Sequence, residues 1–389
     1  MNREIKDLGI HISDGNYSSK YPRSEEFVKE GVPFIRANNL VNGEVTDEDM
    51  YFITPEKHAI LLKGHLQEGD VLITTRGNIG QVGIVPKRHI DSNINAQLVL
   101  LRTNPKELYN RYLLWALQSQ SVKKQYQTLQ TGTALKQLPV GKLEQVSIKV
   151  TDIISQHNIA DNLDKIYKII NDRKKELNLL DDLIKARFVE MFGDMVINPN
   201  NWDKHSLGEL CDVRDGTHDS PQYYGDGYPL VTSKNVTDGK IDITNCNFIS
   251  EEDYKKINQR SKVDIGDILM PMIGTVGNPV IVDIEPNFAI KNVALIKFKS
   301  DSRVLNSFVK ILLESDYFDN AVISKIRGGT QKFISLGDIR KLDICLPPLE
   351  VQISFEKFIK HVDKSKVAVQ KALDEAQLLF DSLMQEYFG

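Results

Sequence analysis

The chain contains one stretch of 38 residues twice, separated by 196 residues. Residues 156–193 align without a gap with residues 352–389, and eight positions are identical. The identical pairs are Gln156/Gln352, Lys168/Lys364, Lys175/Lys371, Leu177/Leu373, Leu183/Leu379, Glu190/Glu386, Phe192/Phe388 and Gly193/Gly389. Two copies of one segment need two equivalent environments, so the repeat predicts a chain built from two similar halves.

Both copies carry apolar residues in alternating steps of three and four. In the first copy the pattern runs from Ile159 to Phe188, and in the second from Phe355 to Met384. This spacing places the apolar residues on one stripe of a helix, and its period near 3.5 is that of a coiled coil. Arg173 and Lys366 are polar residues within the two stripes. We expect the two helices to pack against each other; the alternative is two unrelated amphipathic helices in separate cores.

The repeat extends upstream of the helices. Residues 33–40 match residues 229–236, Gly69-Asp70-Val71-Leu72 matches Gly266-Asp267-Ile268-Leu269, and Gly77-x-x-Gly80 matches Gly274-x-x-Gly277. A period this long indicates a tandem duplication of a domain rather than a solenoid. The predicted boundaries are residues 1–150 for the first domain, 151–195 for the first helical spacer, 196–348 for the second domain and 349–389 for the second spacer.

Within each half, short apolar runs alternate with turns rich in Gly, Asn, Asp and Pro, which predicts strands. Strands are expected at residues 71–75, 82–85 and 97–101, and at 268–270, 280–282 and 294–298. One helix is expected from Glu107 to about Thr128, and its counterpart from Val304 to about Lys325. The predicted fold class is therefore α+β: a duplicated mixed domain, each copy followed by a long helix, the two helices forming an antiparallel coiled coil.

The sequence offers little that indicates catalysis. It contains no phosphate-binding loop, no dinucleotide-binding glycine motif and no His-Glu-x-x-His motif. The segment from Asp215 to Asp219, which includes His218, is interpreted as a turn with solvated polar residues. Cys211, Cys246 and Cys345 are scattered, which argues against a disulfide framework or a zinc site and fits a reducing cytoplasm. We therefore predict no catalytic residues, no metal ligands and no membrane partner.

Polar residues at equivalent loops of the two halves are the candidates for contact with double-stranded DNA; the alternative is that they are ordinary solvated loop residues. Arg, Lys, Asn and Gln hydrogen-bond to base edges, and Ser, Thr and backbone amides bind phosphates. With a formal net charge of −4, any DNA-binding surface must be a local patch. The candidates are Arg36, Asn38, Asn39, Thr75, Arg76, Asn78, Thr133, Lys136 and Gln137 in the first half, and Ser233, Lys234, Asn235, Thr275, Thr330, Gln331 and Lys332 in the second.

Several motifs together resemble the specificity subunit of a type I DNA restriction–modification system. They are the two Gly-Asp-Val/Ile-Leu segments, Leu346-Pro347-Pro348-Leu349-Glu350-Val351-Gln352 at the opening of the second long helix, Met191-Phe192-Gly193-Asp194 at the end of the first, and Asn198-Pro199-Asn200-Asn201-Trp202 at the start of the second half. The resemblance covers essentially the whole chain. It implies two target recognition domains, each reading one half of a bipartite, asymmetric DNA site, on a chain without catalytic activity of its own.

The resemblance also implies partners and cofactors. Two modification (methyltransferase) subunits would bring S-adenosylmethionine chemistry, and restriction/translocase subunits would bring ATP and Mg²⁺. Two other functions remain open from the residues themselves: a stand-alone nucleic-acid enzyme with an unrecognised site, and a coiled-coil scaffold that does not bind DNA.

Overall fold

The structure, a computed structural model, describes residues 1–17, 20–133, 135–237, 239–274, 276–299, 301–325 and 333–389. The chain divides into two compact units. The first contains Met1–Lys174 and Gln370–Gly389, and the second contains Lys175–Val369. Each unit therefore combines one domain with part of both long helices.

The first unit is a mixed α+β domain. Its strands are β1 (Asn2–Glu4), β2 (His11–Asp14), β3 (Val32–Ile35), β4 (Leu40–Val41), β5 (Gly43–Val45), β6 (Tyr51–Ile53), β7 (Val71–Thr74), β8 (Val82–Ile84), β9 (Asn93–Ile94), β10 (Leu98–Arg102) and β11 (Ser147–Lys149). Its short helices are α1 (Pro55–Ile60), α2 (Asn110–Gln118), α3 (Gln120–Leu129) and α4 (Val140–Leu143).

Among the described residues the first unit has three sheets. Their strand orders are β2-β10-β7-β8-β5-β4, β6-β3-β9 and β1-β11. The central strands β7 and β10 pair antiparallel and are apolar on both faces, because one face packs on α2 and the long helices and the other on a second apolar cluster around Ile35, Leu72 and Leu100. Residues at the ends of these buried strands are thereby held in fixed positions.

The single helix expected after Glu107 is wrong, because Ser119 divides it into α2 and α3. Ser119 has an extended backbone, its hydroxyl donates to the carbonyl of Ala116 at 2.7 Å, and its oxygen accepts from the amide of Val122 at 3.4 Å. Serine at this position ends one helix and caps the next. Ser315 separates the two corresponding helices of the second half, and its hydroxyl donates to the carbonyl of Leu312 at 2.6 Å.

The second unit repeats the arrangement. Its strands are β12 (Lys204–Ser206), β13 (Asp212–Asp215), β14 (Tyr228–Val231), β15 (Val236–Thr237), β16 (Lys240–Ile241), β17 (Asn247–Ile249), β18 (Ile268–Pro271), β19 (Val280–Ile281), β20 (Ala289–Ile290), β21 (Val293–Lys297) and β22 (Asp343–Cys345). With the long helix of the first half, Ile153–Phe192, numbered α5, its helices are α6 (Leu207–Leu210), α7 (Glu251–Ser261), α8 (Asn306–Leu313), α9 (Asp316–Ala321), α10 (Leu336–Arg340) and the long α11 (Leu349–Phe388).

The sheets of the second unit match those of the first. In the described residues the strand orders are β13-β21-β18-β19, β17-β14-β20, β12-β22 and β15-β16. Each of the first three has a counterpart in the first half, with β18 and β21 replacing β7 and β10 at the centre. The duplicated α+β architecture predicted from the sequence is confirmed.

The two long helices, of 40 residues each, run antiparallel where they meet inside each unit. In the first unit, Ala160 and Leu163 near the start of α5 share a core with Phe388 at the end of α11. In the second unit, Phe188 and Phe192 at the end of α5 lie against Phe355 near the start of α11. The predicted antiparallel pairing is confirmed, and each domain core includes residues from both helices.

Lys366, the polar residue in the second stripe, makes an ion pair across the helices. Its Nζ bonds to the carboxylate of Asp181 on α5.

No helix in the described part of the chain is long and apolar enough to cross a membrane.

Candidate nucleic-acid interface

Three of the predicted loops of the first unit lie side by side because neighbouring strands end at the same place. The Asn95 amide donates to the Ile35 carbonyl at 2.9 Å, and the Thr75 amide donates to the Gln97 carbonyl at 2.8 Å. The loop between β9 and β10 therefore joins the end of β3, which leads into Arg36, to the end of β7.

The third loop is attached by a short β-bridge. Arg76 pairs with Gln137, the Leu138 amide donates to the Thr75 carbonyl at 2.8 Å, and the Gly77 amide donates to the Lys136 carbonyl at 3.2 Å. Residues about 60 positions apart in sequence thus form one surface. Gly77 adopts a φ of 74°, a conformation that favours glycine and lets the chain turn at this point.

Arg76 lies beside an aromatic ring at this surface. Its guanidinium carbon is 4.6 Å from the centroid of the Tyr17 ring, which is 44% exposed. Together with Asp14 and Gln137 these residues line an open cleft of about 410 Å³. Partial burial raises the pKa of the Tyr17 hydroxyl, although Arg76 acts in the opposite direction. A half-buried arginine beside an exposed tyrosine offers both hydrogen-bond donors and a flat surface to a nucleic acid.

Arg36 is partly committed to the protein itself. Its guanidinium carbon lies 3.4 Å from the centroid of the Tyr51 ring, and Nη2 donates to the Asp49 carbonyl at 2.6 Å. The stacking holds the guanidinium at one position above the β3 end.

Three predicted contact residues are buried, contrary to the expectation of exposed loop side chains. The Asn39 side chain accepts from the Arg36 amide at 2.9 Å and donates to the Glu48 carbonyl at 2.8 Å, and Asn235 makes the corresponding bond with the Thr232 amide at 3.0 Å. The Thr75 hydroxyl donates to the Gln97 carbonyl at 3.2 Å. The side chains of Asn39, Thr75 and Asn235 close turns, and DNA contact by them would require those turns to open.

Most of the other described candidates are available to solvent. The exposed ones are Asn38, Asn78, Thr133, Lys136, Gln137 and Lys234, and Ser233 is half-buried. Thr275, Thr330, Gln331 and Lys332 lie outside the described residues.

The second unit brings its strand ends together in the same way. The Lys291 amide donates to the Val231 carbonyl at 2.9 Å, and the Thr217 amide donates to the Ile290 carbonyl at 3.0 Å. Ser233 Oγ donates to the Asn292 carbonyl at 3.2 Å. Lys291 and Asn292 were missed by the sequence reasoning, although their position directly before the buried strand β21 is a signal that could have identified them; Asn95 and Gln97 lie in the corresponding loop before β10.

His218 belongs to this surface, and its segment is more ordered than a solvated turn. Its Nδ1 lies 2.8 Å from Asn292 Oδ1 and its Nε2 lies 2.8 Å from Asp215 Oδ2. The hydrogen bonds to Asn292 and then to Asp215 raise the pKa of His218. Asp215 is 4% exposed and also bonds to Arg260, so the interpretation of this aspartate as solvated is wrong.

One β-bridge is formed by polar residues in the first half and by apolar residues in the second. Ile273 pairs with Phe333 in the second unit at the positions that Arg76 and Gln137 occupy in the first. Phe333 is 47% exposed. The same backbone position therefore presents a polar pair in one unit and an apolar pair in the other.

Two equivalent domains that display different side chains on one scaffold define a duplicated recognition protein. The chain belongs to the family described as the type I restriction modification DNA specificity domain, which matches residues 1–179 and 199–376. The resemblance noted from the sequence is thus confirmed.

Relatives that match over most of their length support this assignment. The chain is 22% identical over 386 residues to the type I restriction enzyme EcoKI specificity subunit of Escherichia coli K12, covering 92% of this chain and 82% of the relative. It is 23% identical over 419 aligned positions to the MjaIX specificity subunit of Methanocaldococcus jannaschii, and this match covers 98% of this chain and 91% of the relative.

Solved structures share the fold. The S subunit of a type I restriction–modification system from M. genitalium aligns with a TM-score of 0.57 at 16% identity, covering 100% of this chain and 96% of that one. A chain from a study of complex assembly and conformational transition of the type I R-M system aligns with a TM-score of 0.59 at 17% identity, covering 100% and 97%.

Proposed function

We propose that this chain is the DNA specificity subunit of a type I restriction–modification complex, and that each unit reads one half of a bipartite, asymmetric site. The bridge that carries Arg76 and Gln137 in one unit and Ile273 and Phe333 in the other is the observation on which this rests. Arginine and glutamine hydrogen-bond to purine edges, whereas apolar side chains contact the thymine methyl group. A duplicated scaffold with such different side chains suits two different half-sites.

Arg36 and Lys136 provide positive charge near the same strand ends of the first unit, and Lys234 and Lys291 do so in the second. Lysine and arginine bind phosphates and orient a protein on the duplex without reading sequence. We assign Arg76, Gln137 and Phe333 to base contact and these four cations to phosphate contact. The remaining polar residues of the two candidate surfaces are assigned to the same interface with DNA: Asn38, Asn78, Thr133 and Ser233.

The chain supplies recognition, and its partners supply chemistry. Two modification subunits would carry S-adenosylmethionine and transfer the methyl group to adenine, and restriction/translocase subunits would use ATP and Mg²⁺. Family membership and the similarity to specificity subunits over most of their length support this division of roles.

Methylation mapping tests the proposal. DNA would be sequenced for modified bases from cells that express this chain with a candidate modification subunit, and from control cells that lack the chain. We expect one bipartite methylated motif with a fixed gap that disappears in the control. A confirmed complex that methylates no such motif would contradict the proposal and favour a scaffold that does not read DNA.

A further inference from the structure

Two histidines and one aspartate of the first unit lie close together in space, and no cysteine is near them in the sequence. His58 Nε2 lies 3.3 Å from Asp91 Oδ2, and His65 Nδ1 lies 3.1 Å from Asp91 Oδ1. The three ligand atoms are within 4.8 Å of one another. The centroids of the two imidazole rings are 4.5 Å apart, and the ring planes are tilted by 57° to each other.

The other nitrogen of each ring is held by an oxygen acceptor. His58 Nδ1 bonds to Asn93 Oδ1, and His65 Nε2 bonds to the Leu61 carbonyl. Asn93 is buried, and its Nδ2 points to the Lys63 carbonyl at 3.4 Å, which leaves Oδ1 to face His58. An acceptor at the outer nitrogen requires the proton there, so the inner nitrogen of a neutral ring presents its lone pair to Asp91.

Two ring lone pairs that face a carboxylate repel it unless a proton or a metal cation lies between them. Histidine ligands of metals typically donate their second N–H to a carbonyl or carboxylate oxygen, which is the arrangement of both rings here. With bonds of about 2.0–2.2 Å to nitrogen and oxygen, tetrahedral zinc places its ligand atoms about 3.4 Å apart. The N···O separations of 3.3 and 3.1 Å, one to each carboxylate oxygen, are close to that spacing, and one ligand atom from each of the three residues lies within 4.8 Å of the others.

We propose that His58, His65 and Asp91 bind a divalent transition-metal ion, with zinc the preferred metal. Histidine nitrogen and carboxylate oxygen are ligands that zinc accepts, and a site with three protein ligands takes water in the fourth position. Asp91 has a side chain 69% exposed, so water reaches that position from solvent.

The backbone holds the ligands together without the metal. The Asp91 amide donates to the Leu66 carbonyl at 2.8 Å, and the Leu66 amide donates to the Ser92 carbonyl at 3.0 Å. These bonds pair the segment that carries His65 with the one that carries Asp91. A metal ion there would join α1 to the turn that leads into β9 and the surface at Asn95.

The site is confined to the first half of the duplication. The equivalent positions, 196 or 197 residues later, are Tyr254, Lys262 and Asn287. The second half contains another His–Asp pair, His218 with Asp215, but this pair has one imidazole instead of two, and Arg260 already forms an ion pair with the aspartate. His218 is therefore a matched control in the same protein.

Metal binding by the full chain tests the inference. The chain would be stripped with a chelator and titrated with Zn²⁺ by calorimetry, and Co²⁺ absorption would report the coordination geometry. We expect one equivalent of Zn²⁺ for the unaltered chain and for His218→Gln, and at least a tenfold weaker affinity for His65→Gln. X-ray absorption of the zinc-loaded chain should show two nitrogen ligands from imidazole.

Asp91→Asn provides a variant that keeps the fold. Asp91 has a φ of 60°, and asparagine tolerates that conformation as well as aspartate does. We expect this variant to bind Zn²⁺ at least tenfold more weakly while its circular dichroism spectrum is unchanged. Absence of stoichiometric Zn²⁺ binding by the unaltered chain, or equal affinities for His65→Gln, Asp91→Asn and His218→Gln, would overturn the inference.

Discussion

Gln352 lies fully buried at the start of α11, where its side-chain amide satisfies three backbone groups. Oε1 accepts from the Leu305 amide at 2.8 Å, and Nε2 donates to the carbonyls of Arg303 at 3.0 Å and Pro347 at 2.9 Å. Gln156 makes the same three bonds one repeat earlier, with the Tyr109 amide and two carbonyls. Glutamine therefore occurs at this position in both halves because it makes the same hydrogen bonds in each. The sequence shows that the residue is the same but not why.

Replacing this glutamine leaves buried backbone groups without partners. We expect Gln352→Ala to lower the free energy of unfolding by about 2–4 kcal/mol, because each unsatisfied buried group costs about 1–3 kcal/mol. Urea denaturation of the full chain measures the loss. Gln370→Ala on the exposed face of the same helix is the control, since Gln370 bonds only to the nearby Asp374 side chain. Equal effects of the two variants would contradict the structural role.

The three cysteines are free and buried. Burial raises the pKa of the Cys211 thiol to about 12 and that of Cys246 to about 11, and it also raises the pKa of Cys345. The thiolate is the reactive form, so little of it is present at pH 8. We expect the native chain to react with Ellman's reagent far more slowly than the chain in guanidinium, where three thiols per chain should react at once. Rapid reaction of the native chain would contradict the burial.

At the level of elements, the apolar stripe predicted the long helices and their pairing, but the same reasoning failed for the helix after Glu107. An apolar period continues through residue 119, and a single serine that bonds back to Ala116 is enough to end the helix there. The strand ends that form the candidate surface were predicted residue by residue. Their adjacency depends on pairing between distant strands, which local patterns do not determine.

The end of α5 is held by a cluster of aromatic rings. Phe192 is 1% exposed, and its ring centroid lies 4.8 Å from that of Phe188, 4.8 Å from that of Phe308 and 5.1 Å from that of Phe355. We expect Phe192→Ala to lower the free energy of unfolding by about 3–5 kcal/mol, the usual cost of removing a buried phenylalanine. Thermal and urea denaturation of the full chain measure it.

Val189 on the same helix is the matched control. Its side chain is 61% exposed, so Val189→Ala should change the free energy of unfolding by less than about 0.5 kcal/mol. A similar loss for both variants would mean that the end of α5 is not anchored in the domain.

Across the whole molecule, the duplication explains which features the sequence could reveal. Features shared by both halves, such as the strand segments and the glutamine at the start of each long helix, repeat at a nearly constant offset and can be seen in the sequence. Features present in one half only have no such repeat. The His58, His65 and Asp91 cluster is formed by residues up to 33 positions apart. The scattered cysteines, from which we predicted that the chain has no zinc site, gave no indication of it.

The two units should be separable in their effect on specificity. Arg76→Ala removes the charged member of the bridge in the first unit, and Phe333→Ala removes the exposed apolar member in the second. We expect each variant to relax one half of the methylated motif and to leave the other half unchanged, because a lost base contact costs about 1–3 kcal/mol of discrimination at its own position.

Methylation mapping with a candidate modification subunit measures both halves in one experiment, and the double variant should relax both. Lys136→Ala is the control for simple weakening: loss of a phosphate contact lowers affinity for all sequences and reduces the salt dependence of binding by about one ion. Relaxation of both halves by Arg76→Ala alone would show that the two units do not read DNA independently.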